Sequence, residues 1–192
     1  MLIKNDFQVV APVDKVWQYF GDIPQVAACL PGTELTDDLG GDKYKGRVSV
    51  RMGPVRLQFA GQADITERDE AAKRIVVNAT GAEEKGRGQA SMVVTATLAT
   101  AGRGTKVSVA QDLQLSGAAA QDGRGMISDV SAVLMRDFSV NLAARIDRAE
   151  RGETVTGPAA APASGFTLGM RAALMALRRV FRRFFVPYQT AS

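Results

Sequence analysis

Few residues in this 192-residue chain are equipped for covalent or acid–base chemistry. It contains no histidine and a single cysteine, Cys29, which removes the commonest general base and the usual zinc ligands and leaves no internal disulfide to form. A thiolate at Cys29 would need activation by a helix terminus or an arginine; a small buried apolar side chain is the simpler expectation. Gly86-Arg87-Gly88, Gly102-Arg103-Gly104 and Gly123-Arg124-Gly125 share a GxG spacing. None continues into a dinucleotide fingerprint or a phosphate-binding loop, so turns account for them. The expectation is therefore no catalytic residue, no metal site and no covalently bound cofactor.

The residues with the most directed chemistry stand near the end of the sequence. Phe166 to Phe185 reads FTLGMRAALMALRRVFRRFF. At ~100° per residue, Phe166, Met170, Ala173, Leu174, Leu177, Val180, Phe181, Phe184 and Phe185 gather on one helical face. Arg171, Arg178, Arg179, Arg182 and Arg183 fall on the other. Five arginines at ~2.5–3.5 kcal/mol each near the centre of a bilayer argue against spanning, whereas lying in the interface plane satisfies both faces. Beside anionic lipid each contributes about 1 kcal/mol. Docking on a protein partner, or folding back on the body, would use the same amphipathic pattern. Residues 166–192 hold five arginines, no lysine and no acid. Removing these five from the 24 basic residues leaves 19 against 20 acids, so the body offers no basic footprint for nucleic acid.

The elements that must position any site are legible from periodicity. Leu2 to Val10 alternates, with Ile3, Phe7 and Val9 on one side and Lys4, Asp6 and Gln8 on the other, as a half-buried strand does. Pro12 suits the first turn of a helix carrying Val16, Trp17 and Phe20 inward. A second short helical turn, Pro24 to Ala28, ends at Leu30-Pro31-Gly32. From Thr33 the period is two for about eighty residues. One parity collects Tyr44, Val48, Val50 and Met52; Leu57, Phe59, Ala63 and Ile65; Ile75, Val77 and Ala79; Met92, Val94, Ala96 and Leu98; and Val107, Val109, Leu113 and Leu115. Glycine-rich and charged turns punctuate the series, which predicts antiparallel hairpins with one covered face. Asp122 to Arg148 then carries Met126, Ile127, Val130, Val133, Leu134, Phe138, Leu142 and Ile146 at spacings of three and four, a long amphipathic helix. The whole is an α+β arrangement in which a curved antiparallel sheet grips a C-terminal helix.

Such a cup can be filled or hollow. The inward parity includes Gly46, Gly61, Ala63, Ala79, Gly81 and Ala96 beside flexible Met52, Met92 and Met126, which favours volume between sheet and helix. Large helix side chains plugging those gaps are the alternative. For a hollow cup the expected lining is Tyr44, Met52, Phe59, Val77, Met92, Val94, Val109, Gln111, Met126, Val130 and Leu134. Tyr44 and Gln111 are the polar members able to hydrogen-bond a carbonyl or hydroxyl; Asn5 shares their parity but sits near a strand start, where a structural role is expected.

The domain organisation follows: 1–148 a cavity domain, 149–165 a linker, 166–186 an amphipathic basic interface helix and 187–192 a disordered end. The stretch GETVTGPAAAPASG, within that linker, is too small and polar to bury a core. The start MLIKNDFQVVAPVD has no basic segment leading into an apolar core, and with one cysteine a reducing cytoplasm is the expected compartment.

The opening strand, Val16-Trp17, the Asp22-Ile23-Pro24 turn and above all Ala28-Cys29-Leu30-Pro31-Gly32-Thr33-Glu34 resemble the G-subunit family of carbon monoxide dehydrogenase, of the helix-grip (START, Bet v 1-like or SRPBCC) group, over roughly residues 1–148. The resemblance implies a non-enzymatic cup with an apolar cavity that works with a molybdenum hydroxylase such as aerobic carbon monoxide dehydrogenase. It further implies recruitment of that enzyme to the inner face of the cytoplasmic membrane through a C-terminal extension, and help in passing electrons to membrane quinone. Menaquinone or ubiquinone is then the expected carried ligand. An assembly or maturation factor without a small ligand, or a cyclase- or hydrolase-type enzyme on the same fold, are the other functions such a chain can have.

Overall fold

Strand β1 (Leu2–Val9) buries Ile3 and Val9 and leaves Lys4, Asp6 and Gln8 exposed, as its alternation requires. The computed structural model describes residues 1–52, 55–117, 120 and 124–153. Pro12 caps helix α1 (Val13–Gly21), which buries Val16 and Phe20. Helix α2 (Ile23–Cys29) follows directly. Its N-cap is Asp22, whose carboxylate accepts a hydrogen bond from the Gln25 backbone N–H at 3.1 Å, satisfying a donor the helix itself leaves free. Gly32 turns the chain out of α2 with φ 76°; a Cβ there would stand 2.3 Å from the Ser49 carbonyl oxygen, so only glycine fits.

Six strands then run as consecutive hairpins: β2 (Thr33–Gly40), β3 (Lys43–Met52), β4 (Val55–Asp69), β5 (Arg74–Glu83), β6 (Gln89–Ala101) and β7 (Gly104–Leu115). β1 returns beside β7, giving one antiparallel sheet in the order β1-β7-β6-β5-β4-β3-β2. The inward parity buries Leu57, Ile75, Ala96, Leu98, Val107 and Val109. Helix α3 (Arg124–Glu150) crosses that face. Its C-terminal half packs Phe138, Leu142 and Ile146 into a core with Val9, Val16, Phe20, Leu98 and Val107. The Phe138 ring meets Phe7 and Phe20 edge-on, with centroids 5.7 and 6.2 Å away.

The buried stripe of α3 runs Ile127, Val130, Ser131, Leu134, Phe138, Leu142, Ile146. It differs from the sequence expectation at Met126 and Val133, which are 40% and 43% exposed. Each sits one position before a wall residue, about 100° round the helix, and the polar Ser131 takes the inward place that an apolar count passes over. Asp122, the expected helix start, lies outside the described residues.

Candidate functional site

Between the sheet and the N-terminal half of α3 lies a cavity of about 460 Å³, within the size range of small-molecule sites. Registry explains its volume. Gly46 pairs with Gly61, Gly61 with Gly81 and Gly81 with Ala90, a row of three glycines and a single methyl across β3 to β6. The adjacent row is Tyr44, Ala63, Ala79 and Met92. All eight residues line the cavity. The glycines serve the curvature as well: a Cβ on Gly61 would stand 1.9 Å from the Thr80 carbonyl oxygen and 2.6 Å from Gly81 Cα.

Tyr44, Phe59, Val77, Met92, Val94, Val109, Gln111, Val130 and Leu134 stand in the wall as the sequence places them. Met126 does not; it faces out from the edge of α3. The side chain of Met52 and the tail residues Arg171, Leu174, Leu177, Arg178, Arg179, Phe181, Arg182, Arg183, Phe184 and Phe185 lie outside the described part, as do residues 154–165 of the expected linker. Sequence reasoning missed the wall supplied by Ile23, Val26, Leu30 and Pro31. Its only signal was the spacing of apolar residues through the short α2 turn.

A polar clasp holds that wall against α3. Arg145 Nη1 and the Tyr19 hydroxyl both donate to Gln25 Oε1, at 3.2 and 3.1 Å, and Asn141 Nδ2 donates to the Cys29 carbonyl at 3.0 Å. The Cys29 thiol donates to the Gln25 carbonyl at 3.3 Å. Burial pushes that thiol up to about 11 against the pull of Arg145, so at neutral pH it is a protonated structural group rather than a nucleophile.

Polar groups in the cavity wall are sparse. Burial pushes the Tyr44 phenol above its ordinary range, assisted by the carboxylates of Asp38 and Asp42, so it presents a neutral hydroxyl. Gln111 on β7 and Ser131 on α3 are 8% and 7% exposed, and the Ser131 hydroxyl donates to Gln111 Oε1 at 3.2 Å. Asn5 Nδ2 donates to Ser131 Oγ at 3.1 Å, which gives Asn5 the structural role expected of it. Glu83, 3% exposed, continues the inward parity of β5. It accepts the Lys85 and Arg87 backbone N–H groups at 2.9 and 3.2 Å. Those bonds outweigh burial and hold its carboxyl below the usual range. Among the described residues no group of histidine, cysteine and carboxylate side chains is placed to hold a metal ion, and no helix is long and apolar enough to cross a membrane.

A family model for the carbon monoxide dehydrogenase G subunit (CoxG) matches residues 6–147, the whole of the cup just described except its edges. The chain belongs to that family. Solved structures share the fold. A conserved protein from Geobacillus kaustophilus matches with a TM-score of 0.69 at 18% identity, over 78% of this chain and 97% of its own. The Zhui aromatase/cyclase from Streptomyces sp. R1128 matches at 0.58 and 16%, over 82% and 98%. A protein from Thermus thermophilus matches at 0.57 and 14%, over 78% and 99%. At these identities the likeness is one of fold. A search of curated proteins finds no match to the sequence.

Proposed function

We propose that the protein is an accessory component of a carbon monoxide dehydrogenase that carries a neutral apolar molecule, of the quinone type, between that enzyme and the membrane. Family membership supports the association with the dehydrogenase. The observation that carries the ligand role is the cavity of about 460 Å³ with an apolar wall and a few hydrogen-bonding groups. Burying apolar surface there contributes ~25 cal/mol per Å² removed from water. In this role two electrons released when carbon monoxide and water become carbon dioxide, with two protons, reduce the carried quinone to quinol. The polar wall groups, a raised phenol and an engaged amide, suit orientation of a guest more than proton transfer at neutral pH.

The tail supplies attachment: its apolar face enters the lipid interface and its five arginines meet anionic headgroups on the inner leaflet. Flotation of the full chain with anionic liposomes tests it. Binding should weaken in high salt, where charge is screened within about 3 Å at 1 M, and disappear when Arg178, Arg179, Arg182 and Arg183 are all changed to Glu. Unaltered flotation of that variant overturns the electrostatic attachment. The carrier role is tested by extraction of purified protein: quinone should accompany the wild-type chain and be depleted from Met92→Trp, which fills the hollow. Equal loading of the two proteins contradicts it.

A further inference from the structure

The hydrogen bonds that join β1, α3 and β7 through Asn5, Ser131 and Gln111 run in one direction. Ser131 has one hydroxyl proton, and with Asn5 Nδ2 donating to its oxygen at 3.1 Å, that proton goes to Gln111 Oε1 at 3.2 Å. The Gln111 carbonyl oxygen is thereby engaged and the amide fixed in one of its two orientations. Its NH2 group is hydrogen-bonded to no acceptor among the described residues. Gln111 lines the cavity, so a guest is within the neighbourhood of that amide. At this point of the wall the donors are the N–H groups of Gln111, while the Gln111 and Ser131 oxygens each already accept one hydrogen bond.

We propose that Gln111, oriented by the Asn5–Ser131 relay, selects guests whose buried head is a hydrogen-bond acceptor without a proton of its own, a ketone or quinone carbonyl rather than a hydroxyl or a hydrocarbon. A carbonyl satisfies the amide. A hydroxyl at the same place accepts one N–H but must bury its own proton, and a hydrocarbon leaves the amide unpaired; either mismatch costs about three- to tenfold in affinity for one neutral hydrogen bond. The assignment rests on the carrier role proposed above and adds to it the atom that recognises the head.

Full-length protein freed of bound lipid, titrated by calorimetry with menadione, 1-naphthol and 1,4-dimethylnaphthalene, separates the two. Wild type should bind menadione about three- to tenfold more tightly than either other probe. Gln111→Leu should lose that advantage while keeping its affinity for dimethylnaphthalene. Ser131→Ala, a smaller change that frees the amide to turn, should bring menadione and naphthol towards equal affinity, and it decides the matter if Gln111→Leu does not fold. Unchanged ratios in the folded variants overturn the donor assignment and leave the carrier role standing. A wild-type protein that binds none of the three overturns both.

Discussion

Under the C-terminal half of α3, Phe138, Leu142 and Ile146 meet Leu98, Val107 and Val16 in a filled core; under its N-terminal half, Val130, Ser131 and Leu134 look across open volume at Ala63, Ala79, Gly81 and Met92. The helix contributes to the contrast, with Val130 and Ser131 over the open half against Phe138 and Leu142 over the filled one, but it keeps Leu134 over the opening. The sheet contributes more. Where β6 and β7 present leucine and valine the interior closes, and where β3 to β6 align glycine and alanine in register it stays open. The hollow is therefore written chiefly in strand positions and in their alignment, with the smaller side chains of the N-terminal half of α3 adding to it.

Truncation along α3 tests that contrast most strongly. Leu142 is wholly buried, so Leu142→Ala should lower unfolding free energy by about 3 kcal/mol in urea titration. Leu134→Ala, on the cavity wall, already lacks close neighbours on one side and should cost less than about half of that. Equal losses would mean that the cavity is closed by packing in solution. Filling the hollow sharpens the contrast from the other side: Ala79→Leu should change stability by less than about 1 kcal/mol, because overpacking penalties belong to dense cores, while lowering quinone loading severalfold in extracts.

A smaller effect concerns the rim of the sheet at the end of β5. The backbone N–H bonds to Glu83 hold its folded pKa below the ordinary 4.5. A depressed folded value gives stabilisation that is present in full above the unfolded value and lost as pH falls through the folded one. Denaturation midpoints of Glu83→Gln should accordingly lie below wild type at neutral pH and converge with it as pH falls below 4.5 and through the lowered folded value. A constant difference across that range would show that the loss comes from packing alone. Smallest of all should be Lys15→Ala, which removes an exposed ion pair to Glu150 between α1 and the end of α3, at under about 1 kcal/mol.

Much of this architecture was legible because alternation in a one-faced sheet is strict: a single parity located Tyr44, Phe59, Val77, Met92, Val94, Val109 and Gln111 in the wall. The family resemblance carried by Cys29-Leu30-Pro31-Gly32 agreed with the family match over residues 6–147. Other features depend on contacts that periodicity does not encode. Ser131 reads as a break in an apolar stripe until Gln111 and Asn5, 20 and 126 residues away, are seen to engage it. Met126 reads as an inward residue because an apolar side chain beside Ile127 fits a wide stripe as well as a narrow one. Glu83 was hidden by its type, since a carboxylate on the inward parity is expected to end a strand, and the turn amides that bind its Oε2 become visible only once the β5–β6 turn is folded.

Organic extraction of the full-length protein, purified without detergent from cells with a native quinone pool and analysed by mass spectrometry, tests the carrier role most directly. The account predicts close to one quinone per chain in the wild type and a severalfold lower load in Ala79→Leu of equal thermal stability. A wild-type chain with no extractable apolar molecule, or an Ala79→Leu variant loaded to the same level, would contradict it.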